Sequence, residues 1–205
     1  RANSKSNKWL IVFHEWWGLN DYIKNEAEKY AEAFPNLNVL ALDLYDGQVT
    51  GSPDTAAMLI KGVKTDRSMK IIEAAKKHVG ANAEVGTLGW CFGGGMSMQA
   101  AIIFGKQAKA CILYYGMPEM DSKKLKNLTA PVLGIFAEKD TWINREVINE
   151  FVKAFRPLKR KYEIKWFEAA HAFANPSNPE HNSAMALEAE ELSMKFLKTH
   201  LMGKK

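Results

Sequence analysis

Cysteine is scarce in this chain: Cys91 and Cys111 are the only two among 205 residues. Two are too few for a disulfide framework, and neither sits in the Cys-x-x-Cys spacing of a structural zinc or a redox pair. Long apolar runs are lacking as well. The longest are strand-sized, such as Trp9 to Phe13, far below the ~20 residues that cross a bilayer, so no membrane partner is expected. Nor is there a basic stripe: the formal charge of +5 comes from scattered lysines, with only short clusters at Lys159-Arg160-Lys161 and Lys204-Lys205. Such a solvated surface argues against a nucleic-acid partner. The chain begins at Arg1 with no Met and no signal-like apolar stretch, so it reads as processed or truncated, with a cytoplasmic location expected.

What is present is ordinary for a globular protein, 47% hydrophobic and 25% charged, in a length that one buried core can serve. Residues 1–8 are expected to form a tail and residues 9–205 a single domain, and a monomer is favoured. Strand and helix signals alternate. Strands are expected at Trp9 to Phe13, Asn38 to Leu42, Glu84 to Gly89, Lys109 to Tyr115, Val132 to Ala137 and Tyr162 to Phe167. Between and after them come helices at Asp21 to Phe34, Asp54 to Gly62, Asp66 to His78, Gly94 to Phe104, Asn144 to Phe155 and His181 to Leu201. Asp43 to Pro53 is rich in turn formers and reads as a long loop. Runs such as Val132-Leu133-Gly134-Ile135-Phe136 lack polar alternation, as strands covered on both faces do, so the class is α/β with a mainly parallel central sheet.

The most informative segment is Gly89-Trp90-Cys91-Phe92-Gly93-Gly94-Gly95, between a predicted strand and a predicted helix. It reads as a nucleophile elbow with Cys in place of Ser. A sharp strand-to-helix turn strains its central residue and leaves no room for side chains two places either side, hence Gly89 and Gly93. The helix N-terminus behind Cys91 favours a thiolate. Gly-rich turns also serve nucleotide binders, but Cys91 occupies the second glycine position of a dinucleotide fingerprint and the lysine of a phosphate loop is missing. No cofactor is called for.

Two further residues follow in the chain order that such an elbow requires, nucleophile, acid, then histidine. Asp140 lies just past the strand ending at Ala137, and His171 follows the next strand. Seen alone, each could be a turn or loop residue; both instead fall beyond strand C-termini, the edge at which Cys91 emerges and where open parallel sheets bind ligands. Glu138, His14, His78, His181 and His200 fit less well, because they precede Cys91 or lie on or at the ends of helices. The loop His14-Glu15-Trp16-Trp17-Gly18 resembles the start of His-Glu-x-x-His, but Gly18 stands at the fifth position, so no metal site follows. Placed after an early strand, it offers the Trp16 N–H as an oxyanion donor beside that of Phe92. Trp17 fits pocket lining or core packing equally; Tyr115, Trp142 and Asn175 complete the candidate pocket.

Gly-x-Cys-x-Gly-Gly, the order Cys, Asp, His, and the glutamate of His-Glu-Trp-Trp-Gly resemble the dienelactone hydrolases from about Lys8 to Leu201. The resemblance implies an α/β-hydrolase fold that opens ester or lactone bonds of small molecules through Cys91, His171 and Asp140. It also implies that Glu15 contacts the resting thiol and helps form the thiolate. Two departures stand out. Asn175 occupies the position, four residues after His171, where the family's lactone-carboxylate hydrolases carry an arginine, with Arg67 or a nearby lysine as replacements. The earliest strands of the family are also lacking. The rival reading is a non-catalytic or redox-sensing protein of the same fold, with Cys91 as an oxidisable thiol.

Overall fold

A computed structural model describes residues 5–203. Six parallel strands form one sheet: β1 (Lys8–Phe13), β2 (Asn38–Leu42), β3 (Glu84–Trp90), β4 (Ala108–Tyr114), β5 (Val132–Ala137) and β6 (Tyr162–Phe167), in the order β2-β1-β3-β4-β5-β6. The helices are α1 (Asp21–Ala33), α2 (Pro53–Gly62), α3 (Thr65–Val79), α4 (Phe92–Phe104), α5 (Ser122–Leu125), α6 (Arg145–Phe155) and α7 (Ser183–Leu197). The expected class stands, and the sheet is parallel at every pairing.

The strand order explains where each helix goes. The step from β1 to β2 runs one way along the sheet and every later step runs the other, so right-handed crossovers place their helices on opposite faces. Side chains of α1 and α7, among them Ile23, Tyr30, Phe196 and Leu197, pack with Leu10, Val12 and Ile112 on one face. On the other, Ile72 of α3, Met98 and Phe104 of α4, and Phe151 and Phe155 of α6 pack with Ile11, Val85 and Leu113. The reversal falls between β1 and β3, whose C-terminal ends therefore part to leave the crevice in which open sheets bind ligands.

Helix ends follow the local sequence. Asn20 and Asn144 cap α1 and α6 by accepting from the Ile23 and Val147 amides, contacts that stabilise a helix by about 1 kcal/mol each. Gly80 ends α3 at φ +86°. One expected start is corrected: α7 begins at Ser183, because Asn182 is its cap and the His181 ring meets the Phe173 carbonyl at 2.9 Å. Among the described residues no helix is long and apolar enough to cross a membrane.

Candidate active site

Between β3 and α4 the chain turns at Cys91, which sits at φ +54°, ψ −120°, a region costly for any residue with a side chain. A Cβ on Gly89 would lie 2.0 Å from the Gly93 carbonyl oxygen, and one on Gly93 would lie 2.4 Å from that of His14. The glycines are thus dictated by backbone contact. The Cys91 amide donates to the Tyr114 carbonyl at 2.9 Å, fastening the turn to β4.

Asp140 and His171 converge on this turn from the ends of β5 and β6. One oxygen of the buried Asp140 carboxylate accepts from the Trp142 and Ile143 amides at 2.8 and 3.0 Å; the other faces His171 Nδ1 at 2.5 Å. His171 Nε2 lies 3.3 Å from Cys91 Sγ. Burial opposes charging of the imidazole, but its hydrogen bonds to Asp140 and Cys91 outweigh that and push His171 up to about 10. Burial likewise opposes the Asp140 charge, and the hydrogen bonds from His171 and the two amides hold it below its ordinary range. Asn178 donates to the His171 carbonyl at 2.9 Å, bracing the loop that carries the ring.

The loop after β1 forms the adjacent wall. His14 is buried with Nε2 accepting from the Leu44 amide at 3.1 Å, so its proton resides on Nδ1, 2.5 Å from the Glu15 carbonyl. Burial pushes its pKa down. His14 is therefore a neutral strut for this loop. Glu15, 1% exposed, accepts hydrogen bonds from Asn175 Nδ2 and, at 3.5 Å, from the Tyr115 hydroxyl. Burial pushes its carboxyl up to about 7 against those hydrogen bonds and the nearby His171 charge. The expected contact of Glu15 with the thiol is not among the hydrogen bonds of the described residues. Both carboxylate oxygens are engaged by Asn175 and Tyr115, and the sulfur faces the imidazole.

These groups open on a cavity of about 1200 Å³ lined by Cys91, His171 and Glu15 together with Trp16, Phe92 and α2 residues. The Trp16 and Phe92 amides donate to no backbone acceptor among the described residues. Among the described residues five non-glycine residues have positive φ, and three of them, Cys91, Tyr115 and Ala172, line this cavity. Strain gathered at one place in this way is a mark of functional sites.

The model of the dienelactone hydrolase family matches residues 1–201. The chain belongs to the dienelactone hydrolase family. A protein of Aquifex aeolicus named as a carboxymethylenebutenolidase is 30% identical, over 94% of this chain and 88% of its own. A Bradyrhizobium protein named as a 2-oxo-3-(5-oxofuran-2-ylidene)propanoate lactonase is 27% identical, over 96% and 85%. Among solved structures, a Klebsiella pneumoniae protein named as a dienelactone hydrolase superposes with a TM-score of 0.79 at 22% identity, covering 94% of this chain and 87% of its own. That last likeness speaks for the fold.

In this dienelactone hydrolase family member, nine of the ten residues singled out from sequence line the cavity, and the tenth, Asp140, lies buried behind His171. Trp17, left between core and pocket, lines the cavity, as do Tyr115, Asn175 and the 71% exposed Trp142. Arg67 does not; it is engaged with the Leu44 carbonyl and Asp46. Cys111 is buried and unbridged, its thiol pushed up to about 12 by burial. Among the described residues no cluster of three His, Cys, Asp or Glu could hold a metal ion. Sequence reasoning missed Asn178, the Trp142 and Ile143 amides on Asp140, and the wall that α2 supplies. The apolar pair Ala57 and Ile60, three apart beside the buried Ala56 and the core-packed Leu59, was the available signal for that wall.

Proposed function

We propose that the protein hydrolyses ester or lactone bonds of small molecules by acyl transfer through Cys91. The observation that carries this reading is the alignment of Cys91 Sγ, the His171 ring and Asp140 within hydrogen-bonding range, at the mouth of the crevice. With its Nδ1 proton directed at Asp140, the ring presents Nε2 to the sulfur. A proton held there leaves the sulfur as a thiolate, which a free thiol near 8.5 is only slightly at neutral pH.

The thiolate attacks the carbonyl carbon, and the carbonyl oxygen takes the negative charge between the Trp16 and Phe92 amides. Collapse of this intermediate breaks the ester bond; the departing alkoxide or enolate takes the proton from His171 Nε2. The now neutral ring draws a proton from water, whose oxygen attacks the thioester. Collapse then expels the carboxylic acid and restores the thiolate beside the imidazolium. Asp140 fixes the ring tautomer throughout. The lactonase and carboxymethylenebutenolidase names of the relatives agree with a lactone or ester substrate.

The test is turnover of chromogenic esters and a dienelactone by the native protein, Cys91→Ala and His171→Ala. Hydrolysis by the native protein that both substitutions abolish supports the assignment; hydrolysis indifferent to either removes it.

A further inference from the structure

The cavity is larger than a small lactone needs. Its volume of about 1200 Å³ exceeds the roughly 300–1,000 Å³ of pockets that enclose drug-sized ligands. It also has a direction. Phe92, Met96 and Gln99 all line it, so it follows α4 away from Cys91 for about 10 Å at the helical rise, the span of an extended chain of roughly eight carbons. Ala57 and Ile60 bring one face of α2 to the same space. That helix buries Ala56 and packs Leu59 against the core, and the neighbouring stripe of Ala57 and Ile60 is left to the cavity.

Charge points the same way. The lining carries Glu15 and Glu119, and besides His171 its only cation among the described residues is Lys61. Glu119 already accepts from Gln99, Lys124 and the Met120 and Asp121 amides. Lys61 is exposed, where a pairing contributes little. A carboxylate carried into the cavity would shed its water and meet no inner cation except the His171 ring, which Asp140 and Cys91 already hold.

We infer that the site takes uncharged esters with an extended apolar arm, laid along α4 against Ile60 of α2, which makes Ile60 a specificity-determining residue. The inference rests on the Cys91-centred reading above. Its test is kcat/KM across p-nitrophenyl esters from acetate to decanoate, and on a carboxylate-bearing dienelactone, for the native protein, Ile60→Ser, Ile60→Trp, Lys61→Met and Cys91→Ala. Native kcat/KM should climb with chain length, by up to about fourfold per methylene, and level off near octanoate. Ile60→Ser should lower the octanoate-to-acetate ratio about tenfold, and Ile60→Trp should move the plateau to shorter chains. A flat native profile, or a dienelactone preferred over octanoate and lost in Lys61→Met, overturns the inference. If Cys91→Ala retains turnover, the catalytic reading itself fails; if Cys91→Ala is inactive and the native profile is flat, only the choice of substrate fails.

Discussion

Replacing Glu15 by Gln tests the buried carboxyl directly, through stability. Glu15 is 1% exposed and its carboxyl rises from an ordinary 4.5 to about 7 because burial disfavours its charge. The folded protein therefore binds this proton more tightly than the unfolded chain does. The stability it contributes is full below pH 4.5 and is lost as pH rises toward and through 7. Between pH 5 and pH 8 the native protein should lose about 2–3 kcal/mol through this group. A glutamine, which does not titrate, can still face Asn175 and Tyr115 and escapes that loss. Glu15→Gln should accordingly gain about 2–3 kcal/mol relative to the native protein on going from pH 5 to pH 8, or roughly 5–10 °C in Tm for a chain of this size. Urea unfolding of both proteins at the two pH values provides the assay, and the other titrating groups largely cancel in the difference. A stability difference identical at pH 5 and pH 8 would refute the assignment of a raised carboxyl to Glu15.

Asp140→Asn should lower kcat by about 10³–10⁴-fold, because an amide nitrogen facing Nδ1 favours the wrong imidazole tautomer; ester turnover compared with a thermal melt checks that the fold survives. Gly89→Ala places a Cβ 2.0 Å from the Gly93 carbonyl oxygen, and should destabilise the protein by more than about 4 kcal/mol or prevent folding, read by chemical denaturation. Iodoacetamide should label Cys91 in the native protein and Cys111 only after unfolding, because Cys111 is fully buried with its thiol pushed up to about 12; peptide mapping by mass spectrometry separates the two.

The features legible in the sequence were those set by local sterics or by the order of elements. Gly89 reports a backbone contact with Gly93 only four residues away, so the turn could be read without knowing the fold, whereas the contact that dictates Gly93 comes from the distant His14 carbonyl. The places of Asp140 and His171 followed from the alternation of strands and helices. The helix behind the elbow begins at Phe92, whereas its sequence suggested Gly94: Gly93, Gly94 and Gly95 weaken helix propensity, and close approach of the Phe13, Tyr114 and Met117 carbonyls overrides it. The bond from Asn175 to Glu15 joins residues 160 apart, and only the crossing of the sheet brings them together. The same holds for α2, whose exposed sequence gives its length and ends but not the cavity it borders.

If the protein works as proposed, the substrate acyl group passes through the Cys91 sulfur. Rapid quenching of native protein with a slowly hydrolysed chromogenic ester, followed by peptide mass analysis, measures that most directly. An acyl mass should appear on the peptide containing Cys91, absent from Cys91→Ala and lasting longer in His171→Ala wherever that variant still acylates. Steady turnover with the acyl group found on another residue, or turnover persisting in Cys91→Ala, would contradict it.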